Sequence, residues 1–146
     1  MKILLLARKM DGDIGKFITS LKEKLIEKGN EVDLVSREED LGIPSLSGSM
    51  GTLGRAVMKK DKENNYDIIY THDWSLAFPL LVPKKILFEK HFCLFHDVEP
   101  SGAKSRILQK IAGNMLGDHL VVKTKELKDK FQKAFFSEKG IPENLA

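Results

Sequence analysis

The first 36 residues constrain the chain most. Residues 1–7 (MKILLLA) form a continuous apolar run of strand length, the pattern of a strand buried on both faces of a parallel sheet. A polar turn with two glycines, Asp11-Gly12-Asp13-Ile14-Gly15, follows. It opens a segment in which Ile14, Phe17, Ile18, Leu21, Leu25 and Ile26 recur on one helical face. Lys22, Glu23, Lys24 and Lys28 fall on the other face, and Gly29 stands where a helix ends. Residues 31–36 (EVDLVS) alternate as a second strand. Strand, helix and strand in that order imply a right-handed crossover between parallel strands.

The same alternation continues. Residues 37–54 are rich in Gly and Ser and read as a long loop, and 55–64 as a short basic helix resting on Leu53, Val57 and Met58. Residues 66–72 (YDIIYTH) read as a third strand, 74–90 as a helical segment interrupted by Pro79 and Pro83, and 92–95 as a fourth strand ending at His96-Asp97. Ile107, Leu108, Ile111, Ala112, Met115 and Leu116 predict the apolar face of another helix, closed by Gly117. Residues 120–122 read as a fifth strand. Thr124 is placed to cap a last helix whose stripe is Leu127, Phe131, Ala134 and Phe135. With no internal repeat and no dividing linker, the pattern predicts one α/β domain over 1–146, a Rossmann-like doubly wound parallel sheet.

Composition removes other classes. A 42% hydrophobic chain is too apolar for disorder, and one cysteine cannot staple a secreted scaffold, so a reducing, cytoplasmic setting is expected. The apolar runs, such as 3–7 and 80–82, are far short of the roughly 18 to 20 residues of a membrane span. A net charge of +3 is too weak to argue for nucleic acid. Its distribution is uneven: residues 74–146 carry 12 Lys plus Arg against 8 Asp plus Glu. Lys123, Lys125, Lys128, Lys130 and Lys133, with Lys104, Arg106 and Lys110, account for that excess. They can form a face that meets anionic lipid headgroups, peripherally at the inner membrane face, and a solvated helix surface explains them equally well.

In an open parallel sheet, ligands bind outside the carboxyl ends of the strands. That rule selects 8–15, 37–54, His72-Asp73-Trp74, His96-Asp97 and Lys123-Thr124. Gly12 and Gly15 allow a ligand to approach backbone N–H groups at a helix N-terminus, although the spacing matches neither a dinucleotide nor a P-loop fingerprint. Asp13 speaks against a bare phosphate cradle. His72 and His96 both end strands and are each followed by Asp; such a histidine can hydrogen-bond a substrate or act as a base, with the carboxylate orienting its ring. A metal set of His91, Cys93 and His96 is disfavoured, because in a strand the first two share a face and His96 points to the other. Cys93 reads as a core residue.

The ordered set DGDIG, EKGNEVDLVS, YDIIYTHDW, FCLFHDVEP, DHLVVKTKELKDKF and GIPENLA resembles the N-terminal Rossmann domain of the GT-B glycosyltransferases, the large retaining family called family 4 or group 1. The resemblance runs the length of the chain. It implies that residues 12–15 match the family's glycine-rich first loop, that His72-Asp73-Trp74 lines the cleft, and that His96 contacts donor sugar or acceptor near the reacting centre. Asp97 and Thr124 would be binding residues too. It also implies a nucleotide diphosphate sugar as donor substrate, no cofactor and no chelated metal. The donor would sit on a C-terminal Rossmann domain that this chain does not contain, so the chain alone is expected to have little or no transferase activity. A stand-alone Rossmann or flavodoxin-like ligand-binding or regulatory module is the alternative.

Overall fold

The computed structural model describes residues 1–82, 84–96 and 100–146. Strands β1 (Lys2–Ala7), β2 (Glu31–Ser36), β3 (Ile68–His72), β4 (His91–Phe95), β5 (Leu120–Val122) and β6 (Phe135–Phe136) form one parallel sheet in the order β2-β1-β3-β4-β5-β6. The helices are α1 (Gly12–Glu27), α2 (Leu46–Ser49), α3 (Thr52–Asn64), α4 (Trp74–Leu81), α5 (Ala103–Leu116) and α6 (Lys125–Lys130). The fold is the expected Rossmann-like α/β sheet.

β1 lies between β2 and β3, with Leu6 opposite Val35 on one side and Thr71 on the other. From β1 the chain moves outward to β2, then crosses back over β1 to β3. With right-handed crossovers, those two directions put the connecting helices on opposite faces. Ile3, Leu5 and Ala7 accordingly pack with Ile18, Leu21 and Leu25 of α1, and Leu4 and Leu6 with Leu53 and Val57 of α3 and Leu76 and Leu80 of α4. The continuous apolar run of β1 is thus used on both faces. No helix of the described residues is long and apolar enough to cross a membrane.

Several expectations are corrected. The 37–54 segment is not all loop: Ser45 accepts a bond from the Gly48 N–H to start α2, and α3 begins at Thr52. α3 buries Leu53, Gly54 and Val57 but leaves Met58 exposed. α4 runs through Pro79 and ends at Leu81; the lost N–H is offset by burial of Leu76, Ala77, Leu80 and Leu81. After it, Leu87 adopts a left-handed conformation before a single 3-10 turn at Phe88–Lys90, so 84–90 is not a helix. Pro83 lies outside the described residues. Phe135 belongs to β6. On α1, Ile14 and Ile26 are exposed, and on α5 so are Ile107 and Ile111.

Candidate functional site

The strand order reverses between β1 and β3, and a crevice opens there outside their carboxyl ends. A cleft of about 410 Å³ occupies this position, lined from β1 and its turn by Arg8, Lys9, Asp11, Asp13 and Ile14, and from β3, α4 and β4 by His72, Asp73, Trp74 and His96, with Pro100. Side chains separated by up to about ninety positions in sequence meet because three parallel strands end together.

The first turn is shaped by two glycines for different reasons. Gly12 has φ of 60°, which favours a residue without Cβ, and a Cβ on Gly15 would lie 2.9 Å from the Met10 backbone carbon. Asp11, the N-cap residue, makes no side-chain cap bond, and Asp13 places a carboxylate in the first turn, where the helix dipole favours it. Gly12 and Gly15 border a neighbouring depression with Lys16, Thr19 and Ser20. Asp11 borders both hollows.

His72 is buried, and its ring meets His96 at 5.6 Å and Phe17 of α1 at 5.8 Å between centroids. His96 meets Phe17 edge-on at 5.3 Å. Lys123, just past β5, holds its ammonium 3.9 Å from the centre of the Phe17 ring. Burial first, then the neighbouring His96 and the Lys123 charge, push the His72 imidazole down to about 3, so it is neutral at physiological pH. Its Nε2 has no hydrogen-bond partner among the described residues. A neutral imidazole offers one donor and one acceptor but no standing positive charge.

Asp73 does not orient His72. Its carboxylate accepts from the Trp74 N–H at 2.8 Å and the Ser75 hydroxyl at 2.7 Å, on the start of α4. Its backbone sits at φ 96°, ψ 145°, a region almost reserved for glycine, and its N–H donates to the Leu94 carbonyl. Burial raises the Asp73 carboxyl; the two hydrogen bonds and the charges of Arg8 and Arg37 oppose that rise. Arg37, itself buried, bonds the Ile43 carbonyl through Nε and the Pro44 carbonyl through Nη2, pinning the segment after β2 beside the site.

Of the predicted residues, Asp13, Ile14, His72, Asp73, Trp74 and His96 therefore line one cleft. Thr124 caps α6 by accepting from the Leu127 N–H. Asp97 lies outside the described residues. Among the described residues, no group of three or more His, Cys, Asp and Glu side chains is placed to hold a metal: His91 bonds Thr71, and the Cys93 thiol, raised by burial, faces the Asp73 carbonyl. Arg8 and Lys9, within the 8–15 stretch selected from the sequence without a role of their own, also line the cleft. Sequence reasoning missed Phe17 as a site residue, since its helical spacing marks it only as core-facing. No protein-family model matches the chain, and no curated protein sequence matches it.

Proposed function

We propose that this domain is the acceptor-side half of a GT-B glycosyltransferase, which moves a sugar from a nucleotide diphosphate sugar to an acceptor hydroxyl. The observation that carries the reading is the convergence of His72, His96, Asp73 and Trp74 with Asp11, Asp13 and Ile14 of the first turn in one cleft at the strand-order reversal. His96 is the catalytic residue, hydrogen-bonding sugar or acceptor beside the reacting bond. The neutral His72 imidazole backs it without adding charge, and the Trp74 ring supplies an apolar face of the kind that sugar rings stack on. Asp73, held by Trp74 and Ser75, positions that wall of the cleft. The donor diphosphate belongs to a second α/β domain, which would supply most of the electrostatic stabilisation of the leaving group.

A ligand-binding module without chemistry is the second reading. The run β2-β1-β3-β4-β5 favours it, because it is the flavodoxin-like order whose reversal point accepts a flavin mononucleotide. Amide NMR titration separates the two. Under the transferase reading, sugars and sugar nucleotides perturb His72, Trp74, His96 and Gly12, and His96→Ala weakens that response at least about tenfold, the loss of one good hydrogen bond to a polar partner. Response to the flavin alone favours the module. Response to none of these, or robust turnover of a nucleotide sugar by the 146-residue chain, overturns the acceptor-side reading.

A further inference from the structure

Part of the apolar face that the sequence pattern assigns to α5 is turned outward: Ala112 and Leu116 are buried as expected, but Ile107 and Ile111 are not. Ile107 is 58% and Ile111 40% exposed, while the helix buries Gln109, Ala112, Gly113 and Leu116. The cause is Gly113. Its ideal Cβ would stand 2.3 Å from the Phe131 ring, so this side of the helix lies flush on that ring and fixes the rotation of α5. At about 100° per residue, Ile107 and Ile111 then fall roughly 120° and 160° away, toward solvent. Half-buried Leu108 and Met115 continue the apolar strip along one side of them.

The charges that α5 itself carries are of one sign. Residues 100–117 contain no Asp or Glu, and α5 carries Lys104, Arg106 and Lys110, all exposed. The lysines after β5 differ: α6 interleaves Glu126 and Asp129 with its lysines, and the Lys128 ammonium is tied to the carbonyls of Gln132 and Ala134.

We infer that the outward face of α5 docks on an anionic lipid bilayer. Ile107 and Ile111 enter the boundary between headgroups and acyl chains while Lys104, Arg106 and Lys110 meet the phosphates, the arrangement of an interfacial amphipathic helix. A second copy fits worse, since pairing α5 with itself sets three cations against three with no carboxylate between them. An acidic protein fits worse as well: α5 offers no aromatic anchor and a convex surface, whereas protein interfaces centre on aromatic side chains seated in pockets. α5 begins three residues after Pro100, which lines the cleft, so the docked helix starts beside the cleft. None of this depends on sugar transfer.

Co-sedimentation of the whole chain with vesicles of phosphatidylcholine alone, or enriched in phosphatidylglycerol, tests the inference at low and high salt. At low salt, binding to the anionic vesicles is expected to exceed binding to the neutral ones at least about tenfold and to weaken with salt. At about fivefold per cation, K104Q/R106Q/K110Q should lose on the order of a hundredfold. I107S/I111S, at exposed positions, should bind at least about tenfold more weakly with an unchanged melting temperature. Equal binding to both vesicles, no binding, or parent-like binding by I107S/I111S overturns the proposal. Concentration-dependent dimerisation abolished by I107S/I111S, without vesicle binding, assigns the face to a second copy instead, and capture of a soluble acidic protein without vesicle binding assigns it to that class.

Discussion

The rings of His72 and His96 meet edge-on, centroids 5.6 Å apart and planes inclined by 60°, at the carboxyl ends of two adjacent parallel strands. Each side chain alternates onto the α1 face of the sheet, where Phe17 touches both rings. A second buried histidine, His91, stands at the opposite end of β4 on the other face, its Nε2 2.9 Å from the Thr71 hydroxyl. One strand thus carries histidines to both ends and both faces of the sheet.

Burial gives His72 and His91 the same pH signature. Both are pushed down to about 3, chiefly by desolvation, whereas an unfolded histidine titrates near 6.5. Between those values the unfolded chain binds more protons than the folded one, so stability is full above about pH 6.5 and falls as pH drops toward 3. By about pH 5 each histidine should cost on the order of 2 kcal/mol. Urea midpoints measured from neutral to mildly acidic pH should fall, and His91→Gln should flatten the slope. A midpoint independent of pH over that interval would contradict the buried neutral pair.

Asp73 predicts an inverted ranking of two truncations. Alanine and glycine both remove the carboxylate that caps α4, a loss of about 1 kcal/mol. Only glycine also relieves a backbone held at φ 96°, worth about 1–3 kcal/mol. Asp73→Gly should therefore be more stable than Asp73→Ala by at least about 1 kcal/mol, against the usual cost of glycine. Equal thermal midpoints would mean that the conformation carries no strain.

Cross-element contact decides which parts of this molecule are legible in its sequence. β1, α1 and β2 are legible because each carries a local signal of its own: an unbroken apolar run, a helical period and an alternation that holds from Glu31 to Leu34. His72 and His96 are legible because position after a strand suffices to place them at one edge. Phe17 and its contact with Lys123 are not, since that meeting depends on α1 lying over the ends of β3 to β5. The strain at Asp73 has no sequence signal, because aspartate is an ordinary capping residue. α5 is read correctly at Ala112 and Leu116 but not at Ile107 and Ile111, for a related reason: its rotation is set by Gly113, which contributes nothing to a hydrophobic pattern. β6, two residues long, is too short to show a period.

The Gly15 turn predicts a local defect at the cleft. A Cβ at Gly15 meets backbone, the Met10 carbonyl carbon at 2.9 Å and its oxygen at 3.1 Å, so the turn has to move. Gly15→Ala should cost about 1–3 kcal/mol and shift the NMR signals of Met10 to Asp13 while leaving those of α5 in place. An unchanged turn with parent stability would count against the close approach.

Gly113 and Gly54 predict opposite outcomes for one substitution. Both lie inside helices, where alanine gains about 1 kcal/mol in propensity. At Gly54 the new Cβ meets only the Cδ1 tip of Ile86, at 2.5 Å, and that flexible end can turn aside. At Gly113 it meets three atoms of the Phe131 ring, the nearest at 2.3 Å, and this ring is itself packed edge-on against Phe95 at 5.5 Å. Gly54→Ala should be neutral within about 1 kcal/mol, and Gly113→Ala should destabilise by about 1–3 kcal/mol. Shrinking the obstacle should repair the clash, so Gly113→Ala in a Phe131→Leu background should cost less than in the parent, a positive coupling read from a double-mutant cycle in urea. Additive effects at the two positions would show that Gly113 and Phe131 do not constrain each other, and would remove the reason for α5 to face outward with Ile107 and Ile111.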